Sequence, residues 1–145
     1  MRARGLFPLL IVVLAAAGAY WYLESSNGGT STHFQSKHGV SVTVTEPRSG
    51  DTIASPLKVR GVVPGSWSFE ASFPIEILDA DRKPVADTFA TISGDWMTEK
   101  PVKFTASLPF HAPVSDRGFV VIHKANPSGD QATDDAVEIP VRFGS

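Results

Sequence analysis

The sequence contains no cysteine. The chain can therefore form neither a disulfide framework nor a thiolate zinc site, and it has no cysteine nucleophile and no cysteine for lipid attachment. A domain exported without disulfides must be held together by its hydrophobic core. The chain has 145 residues, of which 42% are hydrophobic. That length allows one domain core and a short additional segment.

An excess of positive charge is also missing. The whole chain has 13 basic and 15 acidic residues, which gives a formal net charge of -2. Arg2 and Arg4 precede a hydrophobic segment, so 11 basic residues stand against 15 acidic ones in the remainder. A mildly acidic domain lacks the basic surface that neutralises nucleic-acid phosphates. We therefore expect no nucleic acid among the partners.

Motifs of catalysis and cofactor binding are scarce. No serine lies in a Gly-x-Ser-x-Gly elbow, and there is no glycine-rich phosphate loop. His123 shares its alternation parity with Phe119 and Val121, which favours a half-buried structural role. We predict that the protein is not an enzyme and that it has no cofactor. The alternative is an envelope hydrolase, or a modulator of one, that uses His111 or His123 as the base.

One long hydrophobic run is present near the N-terminus. It extends from Leu6 to Leu23 without a charged residue and ends at Glu24. About 20 apolar residues are needed for a helix to cross a membrane. The arginines before the run predict an orientation with the N-terminus inside and the following domain extracytoplasmic. Residues 1–24 are therefore predicted to be a signal anchor or signal peptide of a single-pass cell membrane protein.

Two fates of this segment remain open. The small residues Ala17 and Ala19 have the spacing of a signal-peptidase site, and cleavage there would yield a secreted protein. Tyr20, Trp21 and Tyr22 follow at once, and such aromatic residues favour the membrane–water interface. We favour an uncleaved anchor. Residues 25–39 are rich in Ser, Thr, Gly and Asn, which predicts a flexible linker with solvated histidines.

The remainder of the chain, residues 40–145, alternates between apolar and polar residues, as strands do. Pro74 falls on the polar face of one run, which predicts an edge, a bulge or a break there. No window shows a sustained helical period. The pattern predicts an all-β fold, a two-sheet sandwich, with a five-stranded barrel as the alternative. About seven strands are expected, at residues 40–45, 57–63, 67–77, 85–92, 102–110, 119–124 and 137–143.

A resemblance covers nearly all of this predicted domain, from about Val42 to Phe143. Its strongest segments are residues 67–74 (WSFEASFP), 94–98 (GDWMT), 126–129 (NPSG) and 139–140 (IP). In order and spacing they resemble the immunoglobulin-like domain family of bacterial spore germination. The resemblance implies an immunoglobulin-like β-sandwich in an extracellular setting. It implies no catalytic residues.

Candidate binding residues are Trp96, Met97 and Trp67. Residues 93–98 do not alternate, so Trp96 and Met97 are predicted to lie in a loop, where an aromatic ring could contact a partner. The competing interpretation is packing over the end of the domain. We expect a non-catalytic binding or scaffold domain, tethered to the envelope, that contacts cell-wall glycan or an envelope protein.

Two acidic groups suggest calcium, but tight turns are the favoured interpretation because aspartate caps local backbone. The residues concerned are Asp79, Asp81, Asp130, Asp134 and Asp135.

Overall fold

The computed structural model describes residues 31–144, and the predicted anchor lies outside the described residues. No helix among the described residues is long and apolar enough to span a membrane. The regular structure of the described residues consists of β-strands and two short 3₁₀ helices, Gly65–Trp67 and Gln131–Thr133. The strands are β1 (Thr32–Gln35), β2 (Ser41–Glu46), β3 (Thr52–Ile53), β4 (Leu57–Pro64), β5 (Ser72–Asp79), β6 (Pro84–Ile92), β7 (Pro101–Leu108), β8 (Arg117–His123) and β9 (Ala136–Phe143).

Hydrogen bonds join these nine strands into one sheet in the order β1-β2-β4-β7-β6-β5-β8-β9-β3. All neighbouring strands are antiparallel except β3 and β9, which are parallel. The pairing between β6 and β7 is limited to Thr91 with Thr105 and Ile92 with Phe104. This short pairing divides the curled sheet into a four-stranded half (β1, β2, β4, β7) and a five-stranded half (β6, β5, β8, β9, β3).

One cluster of buried side chains joins the inner faces of the two halves. Phe73 of β5 and Phe104 of β7 meet edge to face, with ring centroids 5.1 Å apart. Apolar rings and branched side chains that alternate along every long strand supply the rest of this core, as the period-2 pattern predicts. The largest fully buried members include Trp67, Ile75, Ile77, Leu108, Ile122 and Ile139.

The all-β prediction is confirmed, and two details of it are corrected. Residues 31–144 form nine strands rather than about seven, and these strands form one curled sheet rather than two separate sheets. The partition nevertheless follows the immunoglobulin-like scheme, since β2, β4 and β7 occupy one half and β5, β8 and β9 the other. β6 is added beside β5 in the second half.

The predicted linker of residues 25–39 is wrong for Thr32–Gln35, which form β1 and pair with β2. Phe34 packs against the core, and Ser36 is buried. The segment is polar in composition, but a partly buried aromatic ring, a ladder of backbone hydrogen bonds to β2 and the buried Ser36 hold it on the domain. β3 is the second strand that the sequence pattern missed, because it has only two residues.

Candidate binding site

Trp67 is part of the core and does not contribute to a surface. Its side chain is 1% exposed, and its Nε1 donates a hydrogen bond to the carbonyl oxygen of His123 at 3.0 Å. The indole thereby fills the end of the core and satisfies its single donor. The prediction that Trp67 is a binding residue was wrong, since its parity with Phe73 and Ile75 had already placed it on the apolar face that the structure buries.

The turn after Trp67 brings Phe69 to the surface. Phe69 and Ser72 exchange two backbone hydrogen bonds, at 3.0 and 3.1 Å, around the two residues Glu70 and Ala71. Both central residues have positive φ, 49° and 62°, as a type I′ turn requires. Neither is glycine or asparagine, so the turn is strained. It interrupts the strand predicted over residues 67–77 and leaves Phe69 45% exposed.

Trp96 and Met97 lie in the loop between β6 and β7, as predicted. Trp96 is half-buried and meets the ring of Phe69 edge to face, with centroids 6.2 Å apart. Met97 is 76% exposed. The sequence left two interpretations of Trp96 open, packing over the end of the domain and exposure to a partner. The structure is compatible with both, since the ring packs on Phe69 and is only half-buried.

Gly65 fixes this loop to the rest of the domain. Its N–H donates to Lys100 O at 3.2 Å, and Ser66 N–H donates to Thr98 O at 3.0 Å. A Cβ atom at Gly65 would lie 2.4 Å from Thr98 O and 2.5 Å from Trp96 O. Only glycine permits that approach, so the loop that presents Trp96 rests on a rigid base.

Pro74 opens a groove beside these rings. Pairing between β5 and β8 stops at Ile75 with Ile122, because Pro74 has no N–H to continue the ladder. The chain after β8 turns away, and Ala125 N–H donates to Trp67 O at 2.9 Å. The break that Pro74 predicted is thus a break in pairing with β8 alone, since pairing with β6 continues.

The resulting groove has a volume of about 230 Å³. Phe89 forms one wall and is 65% exposed, a larger exposed fraction than that of any other Phe or Trp among the described residues. The sequence analysis missed Phe89. Its alternation parity is that of the polar residues Asp87 and Thr91, which indicates that it faces outward, whereas Ala90 between them is buried. The groove is lined by Phe69, Ser72, Phe73, Pro74, Phe89, Ala125, Asn126 and Pro127.

A second, more polar cavity of about 500 Å³ adjoins the groove and shares Pro74 and Asn126 with it. Glu76 and Asp87 stand directly opposite each other on β5 and β6 at its floor. His123 Nε2 lies 2.7 Å from Glu76 Oε1. The outer surface of the five-stranded half is therefore apolar at the groove and acidic immediately beside it.

The two histidines considered as catalytic bases do not share a site. His111 is exposed in the loop between β7 and β8 and makes no hydrogen bond within residues 31–144. His123 is half-buried, as predicted, and its side chain pairs with Glu76. No serine hydroxyl is bonded to a histidine ring in the described part of the chain, so the described residues hold no preformed Ser–His pair.

Asp79 and Asp130, two of the aspartates considered as calcium ligands, cap local backbone instead. Asp79 Oδ1 accepts hydrogen bonds from the N–H groups of Asp81 and Lys83, both at 2.9 Å. Asp130 Oδ1 accepts from Ala132 N–H at 2.9 Å and begins the second 3₁₀ helix. These contacts are the turn chemistry that the sequence favoured. Among the described residues, no three His, Asp or Glu side chains converge as a metal site would require.

Comparison with known families places most of these features in one recognised domain. Residues 41–131 match a family model described as the immunoglobulin-like domain of bacterial spore germination. The match begins at β2 and includes Trp96 and all the residues that line the groove. Comparison with curated proteins and with solved structures gave no match.

Proposed function

Since the chain belongs to the immunoglobulin-like domain family of bacterial spore germination, we propose that it is a non-catalytic binding or scaffold domain of the cell envelope. A shared fold does not by itself assign an activity, so the proposal depends on the surface features of this chain. The partner that we propose is cell-wall glycan or an envelope protein.

The proposed location rests on the N-terminal sequence. The uncharged run from Leu6 to Leu23 is long enough for one membrane span, and Arg2 and Arg4 favour an N-terminus in the cytoplasm. The domain would then be extracytoplasmic and held at the membrane. Cleavage after Ala19 would release the same domain as a secreted protein.

One observation carries the binding proposal: the exposed side chains of Phe69, Phe89 and Pro127 line one groove. Phe69 also meets the ring of Trp96, which precedes Met97 in the loop between β6 and β7. Phe69 is 45% exposed, Phe89 65% and Met97 76%. Clustered exposed apolar groups mark interaction sites more often than single ones do, and aromatic side chains and Met are enriched in interfaces. We call Phe69, Phe89, Trp96, Met97 and Pro127 the aromatic patch.

The hydrolase alternative has less geometric support than the binding role. His123 is held by Glu76, and exposed His111 makes no hydrogen bond within residues 31–144. A nucleophilic mechanism needs a hydroxyl within reach of the base and a group that orients that base. The aromatic patch, by contrast, is already present at the surface.

The test is co-sedimentation of the full chain, held in lipid nanodiscs, with purified cell-wall sacculi. We expect Trp96→Ala and Phe89→Ser to lower the bound fraction. Exposed Val114 lies in the loop between β7 and β8, so Val114→Ser is the matched control. Loss of binding in the patch variants alone supports a glycan partner.

If the sacculi are not bound, a photo-crosslinking residue at position 97 in whole cells tests for an envelope protein. Crosslinks from position 97 that are missing from position 114 support a protein partner. Crosslinking at position 114 alone, together with unbound sacculi, would overturn the role of the aromatic patch.

A further inference from the structure

A pair of acidic residues lies next to the aromatic patch on the same surface. Pro74 of β5 pairs with Phe89 of β6, and the next outward-facing pair along the two strands is Glu76 with Asp87. Outward-facing residues two positions apart on a strand are separated by about 6.8 Å. An apolar pair and an acidic pair therefore lie side by side at a fixed distance.

The acidic pair is unfavourable for the isolated domain. Like charges placed directly opposite across two strands destabilise a sheet. His123 contacts Glu76, whereas exposed Asp87 makes no hydrogen bond or ion pair within residues 31–144. Lys124 and Asp134 also line the cavity and offset each other in charge. A cationic group from a partner would relieve the repulsion at Asp87.

The apolar part of the surface is suited to one side chain. The groove volume of about 230 Å³ is below the roughly 300–1,000 Å³ of sites that enclose a whole small molecule. Its walls are apolar except for Ser72 and Asn126. A sugar ring buried there would leave most of its hydroxyl groups without partners, which is costly. An apolar amino-acid side chain would not.

We propose that this surface binds an extended polypeptide segment in which an apolar residue and a Lys or Arg residue are two positions apart. In an extended chain such residues lie on one face at about 6.8 Å, the spacing of the two pairs. The apolar side chain enters the groove beside Phe89, and the basic one reaches Asp87 and Glu76. This inference rests on the proposed binding role and names the chemistry of the partner.

Surface plasmon resonance with the immobilised full chain in nanodiscs tests the proposal. The probe is the end-capped pentapeptide Gly-Trp-Ser-Lys-Gly. One control peptide replaces its Lys with Glu, and a second places Trp and Lys next to each other. We expect the probe to bind at least threefold more tightly than either control, as one exposed ion pair allows.

The protein variants test the two pairs separately. Phe89→Ser is expected to weaken probe binding about tenfold or more, since it removes the apolar wall. Asp87→Asn is expected to weaken it about threefold and to remove most of the preference for Lys over Glu. Val114→Ser is the control and leaves binding unchanged. Phe89 is exposed, so Phe89→Ser is expected to keep the unfolding midpoint of the parent. Asp87→Asn is expected to keep or slightly raise it, because it removes one of the two like charges.

Three results would overturn the peptide proposal. They are no binding of the probe, equal binding of the Lys and Glu peptides, and binding that Phe89→Ser leaves unchanged. If the peptides fail while sacculi are bound through Phe89 and Trp96, the binding role stands and its partner is glycan. If neither is bound and no crosslink forms at position 97, both proposals fail.

Discussion

Ser36 Oγ donates a hydrogen bond to Asp135 Oδ2 at 2.6 Å, and both residues are buried. Asp135 Oδ1 also accepts from His38 N–H at 3.3 Å and from Ala136 N–H at 3.1 Å. Val40 N–H donates to Ser36 Oγ at 3.0 Å. One carboxyl group at the start of β9 therefore organises the turn between β1 and β2.

We expect Asp135→Ala to lower the free energy of unfolding by about 2–3 kcal/mol, because it leaves one buried and two partly buried donors without an acceptor. Ser36→Ala should have a smaller effect of about 1 kcal/mol. Urea unfolding monitored by circular dichroism measures both. Asp81→Ala is the control, since Asp81 is exposed, and it should change stability by less than about 0.5 kcal/mol.

Limited proteolysis supplies a second measurement of the same contact. In the Asp135→Ala variant we expect faster cleavage within Thr32–Gln35, because β1 loses its anchorage at Ser36. Equal stability and equal cleavage of the variant and the parent would show that this carboxyl group does not hold β1.

The sequence could not have predicted this contact. Ser36 and Asp135 are 99 positions apart, and each has the local appearance of a solvated residue. Composition assigned Ser36 to a linker and local spacing assigned Asp135 to a turn or an ion site. Local sequence pattern carries no information about which distant residues a fold brings together. Both assignments were wrong for the same reason, because the two side chains are buried and hydrogen-bonded to each other.

The two tryptophans of the described domain should respond differently to truncation. Trp67→Ala is expected to lower the free energy of unfolding by about 3–5 kcal/mol, because it leaves a cavity in the core and frees His123 O. Trp96→Ala should lower it by about 1 kcal/mol, since Trp96 is half-buried and loses one edge-to-face contact with Phe69. Chemical unfolding of both variants measures the difference. Equal losses would contradict the separation of core and surface rings.

The strained turn before β5 makes a prediction of the opposite sign. Ala71 has a φ of 62°, a conformation that costs an L-residue about 1–2 kcal/mol and costs glycine almost nothing. After the entropic cost of glycine, Ala71→Gly should raise the free energy of unfolding by about 0.5–1 kcal/mol. Ala112→Gly is the control, because Ala112 is an exposed loop residue without positive φ, and it should give no gain. A loss of stability in Ala71→Gly would show that the turn is not strained.

Gly61 is required where β4 passes between β2 and a core ring. A Cβ atom there would lie 2.1 Å from Thr43 O and 2.8 Å from the ring of Phe104. Because the nearer atom is backbone, the strands must move apart, and we expect Gly61→Ala to destabilise the domain by about 2–3 kcal/mol. Gly144→Ala is the control, since its nearest neighbour would be Ile53 O at 3.3 Å. Thermal unfolding of the two variants compares them, and similar midpoints would contradict the close approach of Thr43 and Phe104 to Gly61.

Alternation predicted the strands well because it records directly which face is buried, and the runs at Leu57–Pro64 and Ala136–Phe143 are close to their predicted bounds. It failed at residues 67–71, where the parity continues through a turn. Trp67 and Phe69 have the same parity, yet one is 1% and the other 45% exposed. The candidate site depends on that turn and on the missing N–H of Pro74. The sequence showed the proline, but it did not show with which neighbouring strand the backbone pairing would end.

The acidic pair beside the groove should show a conflict between stability and binding. Asp87→Lys replaces a like-charged pair with an opposite-charged one across from Glu76. We expect it to raise the free energy of unfolding by about 0.5–1 kcal/mol at low salt, and by less at high salt. The same change should weaken binding of the Trp–Lys probe peptide about fivefold or more, because it replaces attraction with repulsion.

Thr91→Lys is the matched control for this variant. Thr91 is exposed on the outward face of the same strand, but its partner Ser72 is uncharged. Adding a lysine there should leave stability within about 0.5 kcal/mol of the parent. If Asp87→Lys and Thr91→Lys changed stability equally, repulsion between Glu76 and Asp87 would not be the cause. If Asp87→Lys stabilised the domain and left probe binding intact, the acidic pair would affect stability but would have no part in peptide binding.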